Sequence, residues 1–258
     1  MSKPYVFCVC IGLIVVFCPG TCVAGDETSV GITINGTSGE HIERSGVDSV
    51  PFFPVPIFQA DHQHRRLRLH VEGVPPLGPV SLSGRVFGQN SQVTLSYLSG
   101  DLSLTLPANR YSFGIGGTVI NQQTDYARRR ETQTSRVVGA RYILRGVVNE
   151  DGREQLEASF AFSPRVHAVQ RTVFRFQEFV PGGPPIQRSL TFEDPEHASL
   201  VDTSLRWSVR HARWSFLYGL RYINYAAAYA RNNALADRNH FLMPFIGFER
   251  RLDARQGP

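Results

Sequence analysis

The sequence predicts an all-β protein: a closed, antiparallel, up-and-down transmembrane β-barrel of eight to twelve strands, most simply ten, preceded by a Pro/Gly-rich N-terminal extension. Three observations carry the prediction. Apolar and polar residues alternate with a period of two over most of the chain, the alternating segments are long, and turn-forming residues separate them.

Residues 1–24 have the layout of a cleavable secretory signal peptide. Lys3 precedes an apolar run from Val6 to Phe17, and small residues end at Ala24. The run is too short for a permanent membrane helix, which needs roughly 20 residues. All four cysteines lie in this segment, so the mature chain is expected to contain no disulfide, thiol nucleophile or Cys-ligated metal.

The charge balance excludes little except a nucleic-acid partner. Lys3 is the only lysine among 27 basic residues, and arginine only slightly exceeds the 22 acidic residues. A surplus this small in an exported protein does not indicate a nucleic-acid partner.

Residues 25–79 are predicted to be an extension that is periplasmic or packed on the barrel. This part is rich in Gly, Pro, Ser and acidic residues, and prolines interrupt the apolar run from Val50 to Phe58. Proline cannot donate to a β-ladder and is excluded from the interior of a sheet.

Residues 80–252 are predicted to form the barrel, with 253–258 as a C-terminal tail. Six segments alternate strictly enough to be strands with one polar and one apolar face: 92–97, 101–106, 110–119, 155–162, 201–210 and 213–222. Four more strands are predicted at 80–88, 136–148, 165–179 and 240–252. Several segments have 9 to 13 residues, whereas a membrane crossing needs ~9–11 and a globular strand only ~5–6.

The segments that connect the predicted strands indicate that the two ends of the barrel differ. Tight hairpin signals occur at 88–91, 99–101, 149–152 and 210–212, whereas 121–135, 177–199 and 226–239 read as long hydrophilic loops. Short turns at one end and long loops at the other are typical of a barrel in the outer membrane.

A soluble periplasmic β-sandwich is the alternative fold, because its strands alternate as well. Two features favour the barrel: aromatic residues lie near strand ends, and arginines share the polar face with glycines. Such arginines would fill a narrow lumen if paired with acids. The predicted lumen charge network consists of Arg110, Arg141, Glu157, Asp202, Arg206, Arg221 and Glu249.

The chain resembles the small outer-membrane β-barrel class of Gram-negative bacteria. The resemblance covers residues 80–252 and rests on the leader, the cysteine-free mature part and stretches such as Tyr218-Gly-Leu-Arg-Tyr222. It implies insertion by the outer-membrane assembly machinery, contact with outer-membrane lipids and lipopolysaccharide, and chain ends in the periplasm. One departure is the polar stretch after Phe248, where such barrels commonly end on an aromatic residue.

Candidate chemistry is sparse. Asp61-His62-Gln63-His64 lacks the second ligand pair of a structural zinc site, so a solvated patch is expected and no cofactor is predicted. His167, His211 and His240, with Ser208 and Ser215 near His211, lack a nucleophile motif. The run Arg128, Arg129, Arg130 is a candidate contact for lipopolysaccharide phosphates.

The functional expectation is therefore a narrow pore or a structural, surface-presenting barrel without evident catalysis. A lipid-modifying hydrolase embedded in the barrel and a soluble periplasmic binding protein are the alternatives. The sequence specifies neither a substrate nor an oligomeric state.

Overall fold

The computed structural model is all-β in the residues it describes: 27–43, 46–74, 80–86, 89–106, 110–126, 130–179, 183–229 and 235–252. No helix in this part of the chain is long and apolar enough to cross a membrane. The strands are β1 (Glu27–Glu43), β2 (Gly46–His64), β3 (Leu67–Val74), β4 (Val80–Val86), β5 (Gln89–Thr105), β6 (Tyr111–Tyr126), β7 (Glu131–Asp151), β8 (Glu154–Glu178), β9 (Ile186–His211), β10 (Trp214–Tyr229) and β11 (Leu235–Arg251).

Ten of these strands close into an antiparallel barrel. β1 pairs with β11, and β3 pairs with β5 from Leu67↔Leu104 to Val74↔Tyr97, which joins the two ends of the sheet. The predicted fold class and the count of ten strands are confirmed. A sandwich is excluded, because it would consist of two separate sheets.

β4 is the additional strand, and it continues the course of β3. Both run antiparallel to β5 in the same direction: Val74 lies opposite Tyr97, and Val80 lies opposite Val93. The proline-containing segment 75–79 separates them in the chain. β4 thus occupies the position beside β5 that β3 would have reached had it not been interrupted.

The N-terminal part differs from the prediction. Residues 25–79 were expected to be an extension, but β1, β2 and β3 are three of the ten barrel strands. Conversely, the segment 80–88 was predicted to be a barrel strand and is the additional β4. The predicted leader (1–24) and tail (253–258) lie outside the described residues.

Two predicted turns are also absent. Ser99-Gly-Asp101 lies within the continuous strand β5, and the predicted strands 155–162 and 165–179 are one strand, β8. A β-bulge between Ser163 and Val166 accommodates the irregularity that suggested a break. The turns at Gly152 and Ala212 are present, and both residues have positive φ.

Alternation sorts the side chains into an apolar exterior and a polar lumen. On β7, Tyr142 and Leu144 are exposed on the outside, whereas Arg141 and Arg145 are buried on the inside. Near the short turns, outward aromatics contact one another: Trp207 stacks on Tyr218 at 5.8 Å between ring centroids. Exposed apolar side chains over so much of a surface need an apolar solvent, which a bilayer provides.

The barrel has two distinct ends. The turns after β2, β5, β7 and β9 and both described chain ends lie at one end, here called the turn side. The connections after β1, β6, β8 and β10 lie at the other, the loop side. β8 and β9, with 25 and 26 residues, reach furthest on the loop side.

Candidate functional site: the lumen network

The middle of the lumen is filled by an ion-pair network contributed by seven strands. Five arginines and five carboxylates face each other across the barrel axis: Arg68, Arg141, Arg145, Arg206 and Arg221 with Asp61, Glu72, Asp101, Glu157 and Asp202. All ten lie on inward positions of their strands, so the pairing follows directly from alternation and register.

The largest group, the Arg221 cluster, consists of Glu72, Tyr97, Arg141, Asp202 and Arg221. Arg221 donates from Nε to Asp202 Oδ1 at 2.9 Å and from an Nη to Glu72 Oε1 at 2.7 Å. Tyr97 donates its hydroxyl to Glu72 at 2.5 Å and accepts from Arg221 at 3.0 Å. Arg141 contacts Asp202 at 3.1 Å. Two guanidinium groups therefore neutralise two carboxylates that belong to opposite walls.

A second group, the Arg68 cluster, lies toward the turn side and consists of Asp61, Arg68, Glu157 and Arg206. Arg68 donates to Asp61 Oδ1 at 2.7 Å and to Glu157 Oε2 at 2.9 Å, which joins β3 to β8 across the lumen. Arg206 approaches Glu157 at 3.6 Å. One arginine bridging two strands that are not neighbours fixes the width of the lumen here.

His70 connects the two clusters. Its Nδ1 lies 3.0 Å from Asp61 Oδ1, and its Nε2 lies 3.9 Å from Glu72 Oε2. Beside it, Arg145 holds Asp101 with two contacts of 2.7 and 2.6 Å in the two-pronged geometry that suits a carboxylate. The side chain of Asp101 is fully buried.

The space left inside is small. A cavity within the network measures about 70 Å³ and is lined by residues of both clusters, among them Arg68, Glu72 and Arg221. A cavity of this volume has room for several water molecules. The network fills the lumen at mid-height.

Apolar side chains line the lumen on the loop side of the network. One cluster contains inward residues of β7 to β10: Val137, Val166, Ala168, Ala198, Leu200, Tyr225 and Ala227. A smaller one joins Val55, Ile57 and Val74 to the ring of Tyr97. Any path from the loop side therefore meets packed apolar groups first and the ion pairs next.

With the apolar exterior and the charged interior both established, the fold can be assigned. The chain is a closed β-barrel of the outer-membrane type.

The residues of the predicted network lie in different places. Arg141, Glu157, Asp202, Arg206 and Arg221 are brought together in the lumen. Glu249 is half-buried on an inward position of β11, where its charge acts on Arg206. Arg110 lies elsewhere: it is exposed in the bend before β6, beyond the end of the lumen.

Sequence reasoning missed half of the network, and the signal was present. Arg68, His70 and Glu72 alternate with outward Leu67 and Leu69, but prolines on either side led to the assignment of an extension. Asp101 was assigned to a turn because Ser99-Gly-Asp is a turn-forming sequence.

The remaining candidates do not assemble into a reactive site. His211 is exposed on the outer face, whereas Ser208 and Ser215 are buried on the lumen face, so the barrel wall separates them. His62 bonds Thr28 at 2.9 Å on the face opposite Asp61. Among the described residues, no three His, Cys, Asp or Glu side chains are grouped so as to hold a metal ion.

The predicted lipopolysaccharide contact is only partly visible. Arg130 is exposed in the turn between β6 and β7 with φ of 50°. Arg128 and Arg129 lie outside the described residues.

Comparison with known proteins gives similarity of fold without a family. No protein-family description matches the chain, and no curated protein matches it. Among solved structures, the chain is similar to the outer-membrane protease OmpT from Escherichia coli, with 11% identity, 90% of this chain and 99% of that one covered, and a TM-score of 0.49. It is similar to the CymD monoaromatic hydrocarbon channel, with 9% identity, 89% and 90% covered, and a TM-score of 0.44. The attachment invasion locus protein Ail of Yersinia pestis has 10% identity, 86% and 99% covered, and a TM-score of 0.31.

Proposed function

We propose that the protein is an outer-membrane barrel with a closed lumen, whose role is to hold its loop-side hairpins at the cell surface. The single observation that carries this proposal is the lumen network, in which five arginines and five carboxylates leave a cavity of about 70 Å³. Small barrels generally fill their interiors with side chains, and here the filling is held together by ion pairs.

The ion pairs of the lumen network oppose the conduction of ions. A pore needs a continuous wetted path with charged groups free to exchange with passing ions. In the Arg221 cluster each carboxylate already has two or more donors at hydrogen-bond distance, and Arg221 is only 7% exposed. An entering ion would have to displace a buried guanidinium, which carries a large electrostatic cost.

The presenting role is supported by strand length. β8 continues for 16 residues beyond Phe162, which is the last outward apolar residue before the bulge, and this corresponds to roughly 50 Å of extended chain. A strand that only crossed a bilayer would need ~9–11 residues in total. The β8–β9 hairpin therefore projects far outside the membrane, in the direction opposite to the described chain ends.

The direct test is conductance in planar bilayers. The full chain, folded into detergent and shown to be heat-modifiable in gel mobility, should insert without stepwise currents. A double variant, Arg141→Ser with Arg221→Ser, enlarges the lumen at the network. Once shown to be folded by its heat-modifiable mobility, it should produce current steps and so serves as the positive control for insertion. Stepwise currents from the wild-type protein would refute the closed lumen and favour the narrow pore.

Location is tested separately by fractionation of cells that express the full chain. We expect the protein in the outer-membrane fraction, with the faster gel mobility before boiling. Recovery in the soluble periplasmic fraction would refute the membrane role altogether.

A further inference from the structure

The outer surface of β7, β8 and β9 changes character abruptly on the loop side. Outward apolar positions on β7 extend from Val148 to Val138, a span of 11 residues, which matches the ~9–11 residues of one membrane crossing. On β8 and β9 the continuous part of this apolar surface ends at Phe162 and Val201, which lie opposite each other in the register. The hydrocarbon boundary on this side of the barrel is therefore defined by Val138, Phe162 and Val201.

Four cationic or imidazole side chains follow immediately. This group, the cationic patch, consists of Arg136, Arg165, His167 and His197, and each is exposed on the outer face. The register brings them together: His167 lies opposite both Val138 and His197, and Arg136 lies two positions from Val138. Adjacent strands are ~4.8 Å apart, so the four side chains can reach one bound group.

The patch is not neutralised from within the described part of the chain. None of its four side chains makes a hydrogen bond or an ion pair with a described residue. Of the outward acids nearby, Glu193 is already paired with Arg171 at 3.6 Å. Asp125 lies opposite Thr132, four positions beyond Arg136 along β7. A concentration of unpaired positive charge at the edge of the hydrocarbon calls for an anion from outside the protein.

We propose that the cationic patch binds the phosphate groups of a phosphorylated lipid in the membrane leaflet on the loop side. Position selects the lipid, because headgroup phosphates lie just beyond the hydrocarbon boundary, where the patch begins. Chemistry selects phosphate, because guanidinium groups bind it through paired donors, and each imidazole has an N–H to donate.

This assignment moves the lipid contact away from the arginine run predicted from sequence. Arg130 lies six residues beyond Arg136 along β7, or roughly 20 Å of extended strand. A headgroup at the hydrocarbon boundary would be out of its reach. The sequence suggested arginines that are adjacent in the chain, whereas the structure assembles a group from three strands.

The test measures retention of lipid by the full chain folded in non-ionic detergent. Native mass spectrometry is run with bisphosphorylated lipid A, with the same lipid after enzymatic removal of its phosphates, and with inorganic phosphate as competitor. We expect one lipid A molecule retained, at least about tenfold weaker retention of the dephosphorylated lipid, and weak competition by inorganic phosphate.

The variant arm compares a double variant, which carries Arg136→Gln and Arg165→Gln together, with the single control variant Arg171→Gln. Arg171 is on the same face of β8 but is paired with Glu193, so its loss should leave retention unchanged. The double variant should lose at least about tenfold while keeping its heat-modifiable mobility. Both arginines are exposed on the outer face, so their replacement does not disturb the lumen.

Three results would overturn the proposal. Equal retention of the dephosphorylated lipid would indicate apolar binding, full competition by inorganic phosphate would indicate a free-anion site, and unchanged retention by the folded double variant would place the lipid elsewhere. The inference rests on the membrane placement proposed above but not on the closed lumen. Wild-type conductance would refute the latter and leave lipid retention unaffected.

Discussion

Replacement of Arg221 by methionine is the most informative perturbation of the lumen network. The change removes one buried guanidinium that holds Asp202 at 2.9 and 2.5 Å and Glu72 at 2.7 and 3.2 Å, while keeping most of the side-chain volume. Removal of one partner from a buried ion pair costs about 3–5 kcal/mol, because the remaining charge stays desolvated and uncompensated. Two carboxylates lose their partner here, but Arg141 remains within 3.1 Å of Asp202 and 3.5 Å of Glu72. We therefore expect a loss of about 3–5 kcal/mol rather than twice that amount.

The measurement is the free energy of unfolding in urea, with the barrel folded in detergent micelles and followed by the heat-modifiable gel mobility. Arg188→Met is the matched control, because Arg188 also pairs with an acid, Glu178, at 2.7 Å, but both side chains are about half exposed at 57% and 49%. An exposed pair of this kind contributes about 0–1 kcal/mol. If the two variants lost the same small amount, the network would be no more than a solvated set of charges and the reasoning would fail.

Three further predictions follow from local geometry. An added Cβ at Gly116 would lie 1.9 Å from the carbonyl oxygen of Gly100, whereas one at Gly100 has its nearest atom at 3.5 Å, so G116A should lower the free energy of unfolding by about 1–3 kcal/mol and G100A by much less. Equal losses would show that the strands can separate without cost. Ala212 has φ of 53°, a left-handed conformation that costs an alanine about 1–2 kcal/mol, so A212G should raise the urea midpoint, and a lowered midpoint would contradict that backbone geometry. Trp207 and Trp214 are the only tryptophans, and Trp214 is outward at the turn-side end, so in W207F its fluorescence should be quenched more by lipids brominated near the headgroup than near the chain ends. Stronger quenching by bromines near the lipid chain ends would show that Trp214 does not lie at the membrane–water interface.

The N-terminal strands show why a sound rule gave the wrong assignment. Prolines 51, 54 and 56 argued that this part of the chain could not belong to a sheet. In the barrel, β2 pairs with β3 only over residues 58–64, so the three prolines all lie in the half of β2 that lacks a β3 partner. The rule holds for each proline locally. It failed because it was extended to the whole segment, and alternation at Arg68, His70 and Glu72 was given less weight.

The count of ten strands was right although its members were not. Two pairs of predicted strands are single strands, β5 and β8, and the segment 80–88 lies outside the ten. β1, β2 and β3 replace them. Periodicity identifies which residues share a face, but a turn and a bulge both interrupt it, so sequence alone cannot tell whether a strand ends or merely bends. A lumen pair such as Arg141 with Asp202 could be anticipated, because alternation alone shows that both side chains face inward. A pair such as Arg68 with Glu157 could not, because it also required the knowledge that β3 is a barrel strand.

The β8 bulge changes which residues of the strand face inward, and this can be tested by comparing two deletions. Below the bulge, inward positions of β8 are polar or small and outward ones are apolar, as with Phe162. Above it the inward row runs through Val166 and Ala168 to Phe174, because one extra residue between Ser163 and Val166 shifts the parity. Deletion of both Pro164 and Arg165 would place Val166 directly after Ser163 and should turn this upper row outward, removing Val166 and Ala168 from the buried cluster. We expect the folded, heat-modifiable form to be largely lost. Deletion of Pro164 alone removes only the extra residue and leaves Val166 two positions after Ser163, so every side chain keeps its facing and this variant should fold. If the two deletions folded equally well, the upper half of β8 would be free to slip, and the inward facing of Val166 and Ala168 would not be what fixes its register.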